Sequence, residues 1–232
     1  RSQTWIDQTG AAPINREIFW DKATGTTVNA NRFTLLSNMG VSWGGCVETR
    51  AQPYDVQDTA PAVGMPATLY TPYFAPDEPD DEDDSDNGDF GSFSNNYLPD
   101  EVYSGSNWKI PQGYVGKYDQ SPSGGGPNRG CDMQPIMRLT SNWSSLKSLV
   151  DGMVATGNTN IPIGAAWGWN LLSPTGPFAD GAAYGTAKLS KIAIIMTDGD
   201  NVMSDARNDN QSNYNALGYL WQNRLGIKTG GE

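Results

Sequence analysis

Two oxygen-bearing residues stand where chemistry could be done. Thr159 lies just ahead of a helical pattern, and Asp198 follows the stretch KIAIIMT, whose five consecutive apolar residues span 192–196. An apolar run ending at Thr197-Asp198-Gly199 reads as a strand buried on both faces that stops at a polar loop. In an open parallel sheet the carboxyl ends of the strands are where ligands bind, which places Asp198 for chemistry. A hydroxyl and a carboxylate brought together there are hard ligands, suited to Mg²⁺ or Ca²⁺ completed by water. Read locally, the same residues are a helix cap and a turn aspartate bonding its own backbone, and the pair alone does not choose between the readings.

Other carboxylates offer alternatives. Asp198 and Asp200 could serve a glycan hydrolase, with the eight tryptophans stacking on sugar rings, but they project from one tight turn and no other acidic pair stands near a strand end. Residues 76–91, PDEPDDEDDSDNGDFG, hold nine carboxylates and no positive charge, so the run is expected to stay solvated and mobile. Within it Asp83-x-Ser85-x-Asn87-Gly88 is similar to the first half of a calcium loop. The bidentate Glu that such a loop needs at its twelfth position is replaced by Ser94, and no helical pattern flanks it, which favours an acidic insertion.

Composition removes whole classes of mechanism. Histidine is absent, so Ser-His-Asp and Cys-His nucleophile systems and His-based zinc sites are excluded. Two cysteines, Cys46 and Cys131, cannot build a Cys-rich metal site; they either close a long loop as a disulfide or remain buried thiols, and the Gly-rich loops around both favour the disulfide. A formal charge of −11 disfavours nucleic acid and anionic membrane surfaces as partners and favours cations. No 18-residue apolar run or signal peptide is present. Only 37% of the 232 residues are hydrophobic, while 27 are Gly and 15 Pro, so an α/β core carrying long irregular insertions is expected.

The elements that must position Thr159 and Asp198 become legible from residue 135. Pro135-Ile136-Met137-Arg138-Leu139 predicts a strand, and Thr140 or Ser141 can cap a helix carrying Leu146, Leu149, Val150 and Met153 on one apolar face and ending at Ala155-Thr156-Gly157-Asn158. A polar turn at Thr159-Asn160 feeds a second helix through Gly164, Ala165, Trp169 and Leu172, where Trp167 and Trp169 read as core rather than as a ligand platform. The strand 192–197 follows, then a third helix over about 212–224 with Leu217, Leu220 and Trp221 inward. This order is the grammar of a parallel sheet with right-handed crossovers. Residues 135–232 are accordingly assigned to the core and residues 1–134 to a loop-rich, aromatic and acidic insertion region, with Trp108, Tyr97, Tyr103, Tyr114 and Tyr118 as pins. Residues 33–36, FTLL, fit either a helix or a strand, and VSWGGCVE reads as extended framework.

The string IAIIMTDGDN is similar to the last metal-binding motif of von Willebrand factor A (vWA) domains, and GNTNIPIGAAWGW resembles their Thr-bearing second motif. Together with WGGCVE, PYDV, TLYTPYFAPDEP, NNYLPD, GPNRGC and NIPIGAAWGWNLLSP, these strings resemble the vWA region of TadG-like proteins of bacterial tight-adherence (Flp) pilus assembly, over about residues 40–225. The resemblance implies a Rossmann-like, three-layer parallel-sheet α/β domain with a metal-ion-dependent adhesion site. Thr159 would be the second-motif ligand and Asp198 the third-motif ligand. It also implies an extracytoplasmic location, protein partners of the pilus or cell surface, and membrane anchoring through an amino-terminal helix absent from this chain.

The first motif of the family, Asp-x-Ser-x-Ser, has a literal match at Asp119-Gln120-Ser121-Pro122-Ser123, but a poor strand precedes it, no helix can start in Ser123-Gly124-Gly125-Gly126-Pro127, and too few residues separate it from Thr159. It reads as a chance match. The chain is expected to be an incomplete portion of the domain, with its first elements upstream of Arg1 and its closing strands beyond Glu232. A non-enzymatic binding and assembly module is the leading expectation; a calcium-stabilised structural envelope domain is the alternative, and a carboxylate-dependent glycan hydrolase ranks below both.

Overall fold

The computed structural model describes residues 20–21, 26–27, 31–78, 95–98, 115–197, 199–202 and 212–219. Asn31 starts the first helix, α1 (Arg32–Asn38), because its side chain accepts a 3.0 Å hydrogen bond from the otherwise unpaired Thr34 N–H. FTLL is therefore helical. Leu35 and Leu36 of α1 and the adjoining Met39 pack with Phe74, Tyr97, Leu98 and Tyr118 into a buried cluster, with Trp43 and Tyr214 against its edge.

That cluster lies largely in the region assigned from sequence to loops and insertions. Aromatic side chains explain it, since each buries about 150–250 Å² and three of them make a core without long strands to carry them. Tyr97 and Tyr118 are indeed pins, whereas Tyr103, Trp108 and Tyr114 lie outside the described residues.

Strands among the described residues are short and antiparallel. β1 (Trp20–Asp21) pairs with β2 (Thr26–Thr27), and β3 (Val47–Glu48) pairs with β4 (Thr71–Pro72) in the register Val47↔Pro72 and Glu48↔Thr71. Cys46, next to β3, is joined to Cys131 by a disulfide. With 85 residues between its ends, this cross-link removes about 4.5 kcal/mol of loop entropy from the unfolded chain on the chain-entropy model.

Two charged pairs sit inside this region. Arg32 NH2 lies 3.2 Å from Glu48 Oε1 without hydrogen-bond alignment, while its NH1 donates to Pro72 O at 3.1 Å and Tyr214 OH donates to the same Glu48 oxygen. Asp77 is fully buried and paired with Lys117 at 3.0 Å; its other oxygen accepts from the backbone N–H groups of Tyr97 and Leu98, each at 2.7 Å. Glu78 accepts from Asn95 N–H at 2.7 Å and Tyr219 OH at 2.9 Å. The start of the acidic run is thus interior, which corrects its reading as wholly solvated. Each carboxylate has charged or N–H partners that offset its desolvation. Residues 79–94 lie outside the described residues.

In the carboxyl-terminal half two of the three expected helices form, with different ends. α2 (Trp143–Asp151) is capped by Asn142, whose side chain accepts from Ser145 N–H at 3.1 Å, and it stops at Gly152. Thr140 Oγ1 is instead used by Asn142 N–H, which explains why the cap lies beyond Thr140 and Ser141. On α2, Leu146 and Leu149 are half-buried, whereas Val150 and, beyond the helix, Met153 are exposed. α3 (Ile161–Leu172) packs through Trp167, whose ring lies 5.2 Å from Tyr70 and 6.0 Å from Phe178, whereas Trp169 is exposed, which corrects its reading as a core residue.

No parallel sheet is present among the described residues. Residues 135–139 and 192–197 form no ladder, and Ile194 and Met196 are 83% and 89% exposed. The stretch is apolar enough for a buried strand, but a strand exists only where a neighbour takes up its N–H and C=O groups, and no described residue does so. The expected helix at 212–224 also differs: residues 212–219 form a turn with an Asn215↔Gly218 bridge, and 220–224 lie outside the described residues.

Candidate metal-binding site

Asn160 fixes where α3 begins. Its side-chain oxygen accepts from Ile163 N–H at 3.1 Å and its carbonyl from Gly164 N–H at 3.2 Å, while Pro162, preset for a first helical turn, has no N–H to satisfy. Thr159 precedes this cap, half-buried.

The residues that flank Asp198 in sequence come to the same place. Thr197 Oγ1 donates to Gly199 O at 3.0 Å, a short polar turn of the kind Thr favours. A β-carbon at Gly199 would lie 3.9 Å from Thr159 Oγ1. Val202 N–H donates to Thr159 O at 3.0 Å, and Ile161 N–H donates to Asn201 Oδ1 at 2.9 Å. Thr159 and the residues around Asp198, 40 positions apart in sequence, are therefore neighbours. Asp198 itself lies outside the described residues.

Chemically the site is made of oxygen. Ile161 and Ile163 N–H are both committed and Pro162 has none, so the first turn of α3 has no spare donor for an anion. The Thr159 hydroxyl is a hard oxygen donor, of the kind that suits Mg²⁺ or Ca²⁺ rather than a metal that prefers nitrogen or sulfur. Among the described residues no group of three or more His, Cys, Asp and Glu is placed to hold an ion. Asp200 is exposed.

The remaining sequence candidates fall elsewhere. Asp119 accepts from Asn38 Nδ2 at 2.7 Å and Ser123 N–H donates to Tyr97 O at 2.8 Å, so both ends of the Asp-x-Ser-x-Ser match are tied to the aromatic core. Asp83, Ser85, Asn87, Gly88 and Ser94 lie outside the described residues.

Sequence reasoning missed a second polar cluster at the far end of α3. The Asp58 carboxylate accepts from Ser173 Oγ, at the carboxyl end of the helix, and from Tyr184 OH. Lys191 Nζ donates to Leu172 O at 2.7 Å and stands 4.2 Å from the Tyr184 ring centre. Burial by itself raises the Asp58 carboxyl, yet the hydrogen bonds from Ser173, Tyr184 and Thr175 and the Lys191 charge together hold it below its ordinary value. Ser173 Oγ also accepts from Thr175 N–H at 2.9 Å and Gly176 N–H at 2.8 Å, so the hydroxyl is spent on closing the helix. Arg138 and Asp180 form an exposed pair nearby, and that hydrogen-bonded guanidinium holds the Asp180 carboxyl low. Nothing in the local spacing of Asp58 and Ser173, 115 residues apart, could have signalled their meeting.

Comparison with protein-family models, curated proteins and solved structures returns no match for this chain.

Proposed function

We propose that the chain is a vWA-type binding and assembly module, not an enzyme, which engages protein partners through a divalent-cation adhesion site. In this reading it works on the extracytoplasmic side of a bacterial envelope, as part of a TadG-like protein of a tight-adherence pilus system. The observation that carries it is the juxtaposition of Thr159 with Gly199, tied by the Val202–Thr159 hydrogen bond. The Cys46–Cys131 disulfide favours an oxidising compartment.

Thr159 and Asp198 would hold Mg²⁺ or Ca²⁺. A bound cation of this kind supplies an open coordination position that a partner's carboxylate can fill. Thr159 contributes a hydroxyl oxygen fixed by the clamped backbone on either side of it, and the committed first turn of α3 presents no competing donor to that carboxylate. The reading also takes residues 192–196 as a strand that is paired and covered in the working vWA-like α/β domain.

Thermal melts with and without Mg²⁺ and Ca²⁺ test the site. At a cation concentration of about 100 Kd, stabilisation of about 2.7 kcal/mol, hence a Tm rise of several degrees, is expected and should be lost in Asp198→Ala and reduced in Thr159→Val. An unchanged Tm at millimolar cation would sink the reading.

A structural calcium role for the acidic run is the second reading. It is favoured by the base of that run, where Glu78 and Asn95 exchange backbone and side-chain hydrogen bonds, Glu78 N–H to Asn95 O at 3.2 Å and Asn95 N–H to Glu78 Oε2 at 2.7 Å. A calcium-dependent shift that survives Asp198→Ala but vanishes on deletion of residues 80–89 would select it.

A further inference from the structure

Lys117 and Asp77 meet inside the aromatic core, 3% and 0% exposed. Tyr118, whose ring packs on Phe74 at 5.2 Å, stands 5.4 Å from Lys117 Nζ, and its hydroxyl accepts from Asp77 N–H at 3.1 Å. The two oxygens of the Asp77 carboxylate are held differently. Oδ1 accepts from the backbone N–H groups of Tyr97 and Leu98, each at 2.7 Å, whereas Oδ2 faces Lys117 Nζ at 3.0 Å. A second bond from Nζ, to the Asp77 carbonyl at 2.8 Å, keeps the nitrogen against the same residue.

This is more than an ion pair needs. Two N–H donors converging on one oxygen of an acyl group are the arrangement that stabilises the oxyanion of a tetrahedral intermediate. The other oxygen, beside the amine, is then placed as the leaving group. An exposed lysine and aspartate do not condense, because the amine stays protonated and the two groups drift apart. In a dry interior the gap between a charged pair and a neutral amine beside a carboxylic acid narrows. The fold also replaces a chance encounter with a fixed one, which is worth orders of magnitude in rate.

We propose that Lys117 and Asp77 form a self-modification site, at which the folded chain joins the two side chains through an isopeptide bond. One ammonium proton passes to Oδ2. The freed amine attacks Cγ, forming the Nζ–Cγ bond and an oxyanion on Oδ1 that the Tyr97 and Leu98 amides hold. A second proton then moves from Nζ to Oδ2, the Cγ–Oδ2 bond breaks and water leaves. The positive and negative charges disappear together, and the step consumes no oxidant or other reactant. Glu78, the next residue, is engaged by Asn95 N–H and Tyr219 OH and is not needed for this balance. The amide ties together two residues 40 apart in sequence, and the site is independent of the cation-site reading.

Mass spectrometry of the full chain tests it. The protein is incubated folded at neutral pH, then reduced, denatured, weighed and digested. The expected result is a mass below that of the sequence by one water, about 18 Da, and a branched peptide joining Asp77 to Lys117. Lys117→Arg keeps a positive charge but lacks the amine nucleophile, and should stay at its full sequence mass. Folded wild-type chain that remains at full mass after prolonged incubation, with Asp77 and Lys117 in separate linear peptides, overturns the proposal. So does a loss of water that maps elsewhere, for example to the Asp151-Gly152 step, or one that persists at Asp77 in Lys117→Arg. Where Lys117→Arg does not fold, the wild-type digest decides alone, because the branched peptide is either present or absent.

Discussion

Asp77 shows how much one side chain can hold. Its carboxylate joins Lys117 to the backbone of Tyr97 and Leu98, and Lys117 Nζ bonds the Asp77 carbonyl at 2.8 Å as well. Replacing Asp77 by Ala leaves the Lys117 charge inside with the carbonyl as its remaining partner from that residue, and two backbone N–H groups lose their acceptor. The expected loss is about 3–5 kcal/mol, read from the urea midpoint at unchanged m-value, because breaking one side of a buried pair strands the other. The double variant Asp77→Ala/Lys117→Met should recover part of it. A loss below about 1 kcal/mol would mean that the pair is solvated.

At the scale of elements, helices and extended segments fared differently. α2 and α3 are signalled locally, by asparagine caps, a proline in the first turn of α3 and apolar residues three and four apart, although helices this short also draw on packing, such as Trp167 against Tyr70. Residues 192–196 carry an equally clear apolar signal, but a strand needs a partner that its own sequence cannot supply. The structure leaves Ile194 83% exposed, so Ile194→Lys should shift stability by no more than about 0.5 kcal/mol in this chain. A strand buried on both faces predicts a loss of several kcal/mol for the same change. Equilibrium unfolding of Ile194→Lys therefore separates the exposed segment from the covered strand that the vWA reading requires.

Across the whole molecule, tyrosine dominates the buried polar chemistry. Burial raises the phenols of Tyr73, Tyr97, Tyr118 and Tyr219 above their ordinary value of 10.0, and neighbouring carboxylates, Glu48, Asp77 and Glu78 among them, push the same way. Because the folded values are raised, the neutral phenols' contribution to stability is complete below about pH 10, where unfolded tyrosine titrates, and is lost as the pH rises above it. Alkaline unfolding is expected above pH 10, with a step of phenolate absorbance that coincides with loss of near-ultraviolet circular dichroism. Phenolate formation by these four residues in a chain that keeps its near-ultraviolet signal would contradict their burial. Lacking histidine, the chain has no side chain whose ordinary value lies between pH 5 and 8, and a flat stability plateau is expected there.

Sequence by itself determined what acts over a few residues: two helices and their approximate places, the hard-oxygen character of Thr159 and Asp198, and the absence of any histidine mechanism. Tertiary structure decided what depends on residues far apart. It placed Thr159 beside Gly199, built a core from Leu36, Phe74, Tyr97 and Tyr118 in a region whose sequence reads as loop, and drew Asp77 and Glu78 out of an acidic run into the interior. The physical reason is the same in each case. Capping and helical periodicity are satisfied by a residue's own neighbours within a turn, whereas the cost of burying a carboxylate or an unpaired strand depends on which distant groups arrive to share it.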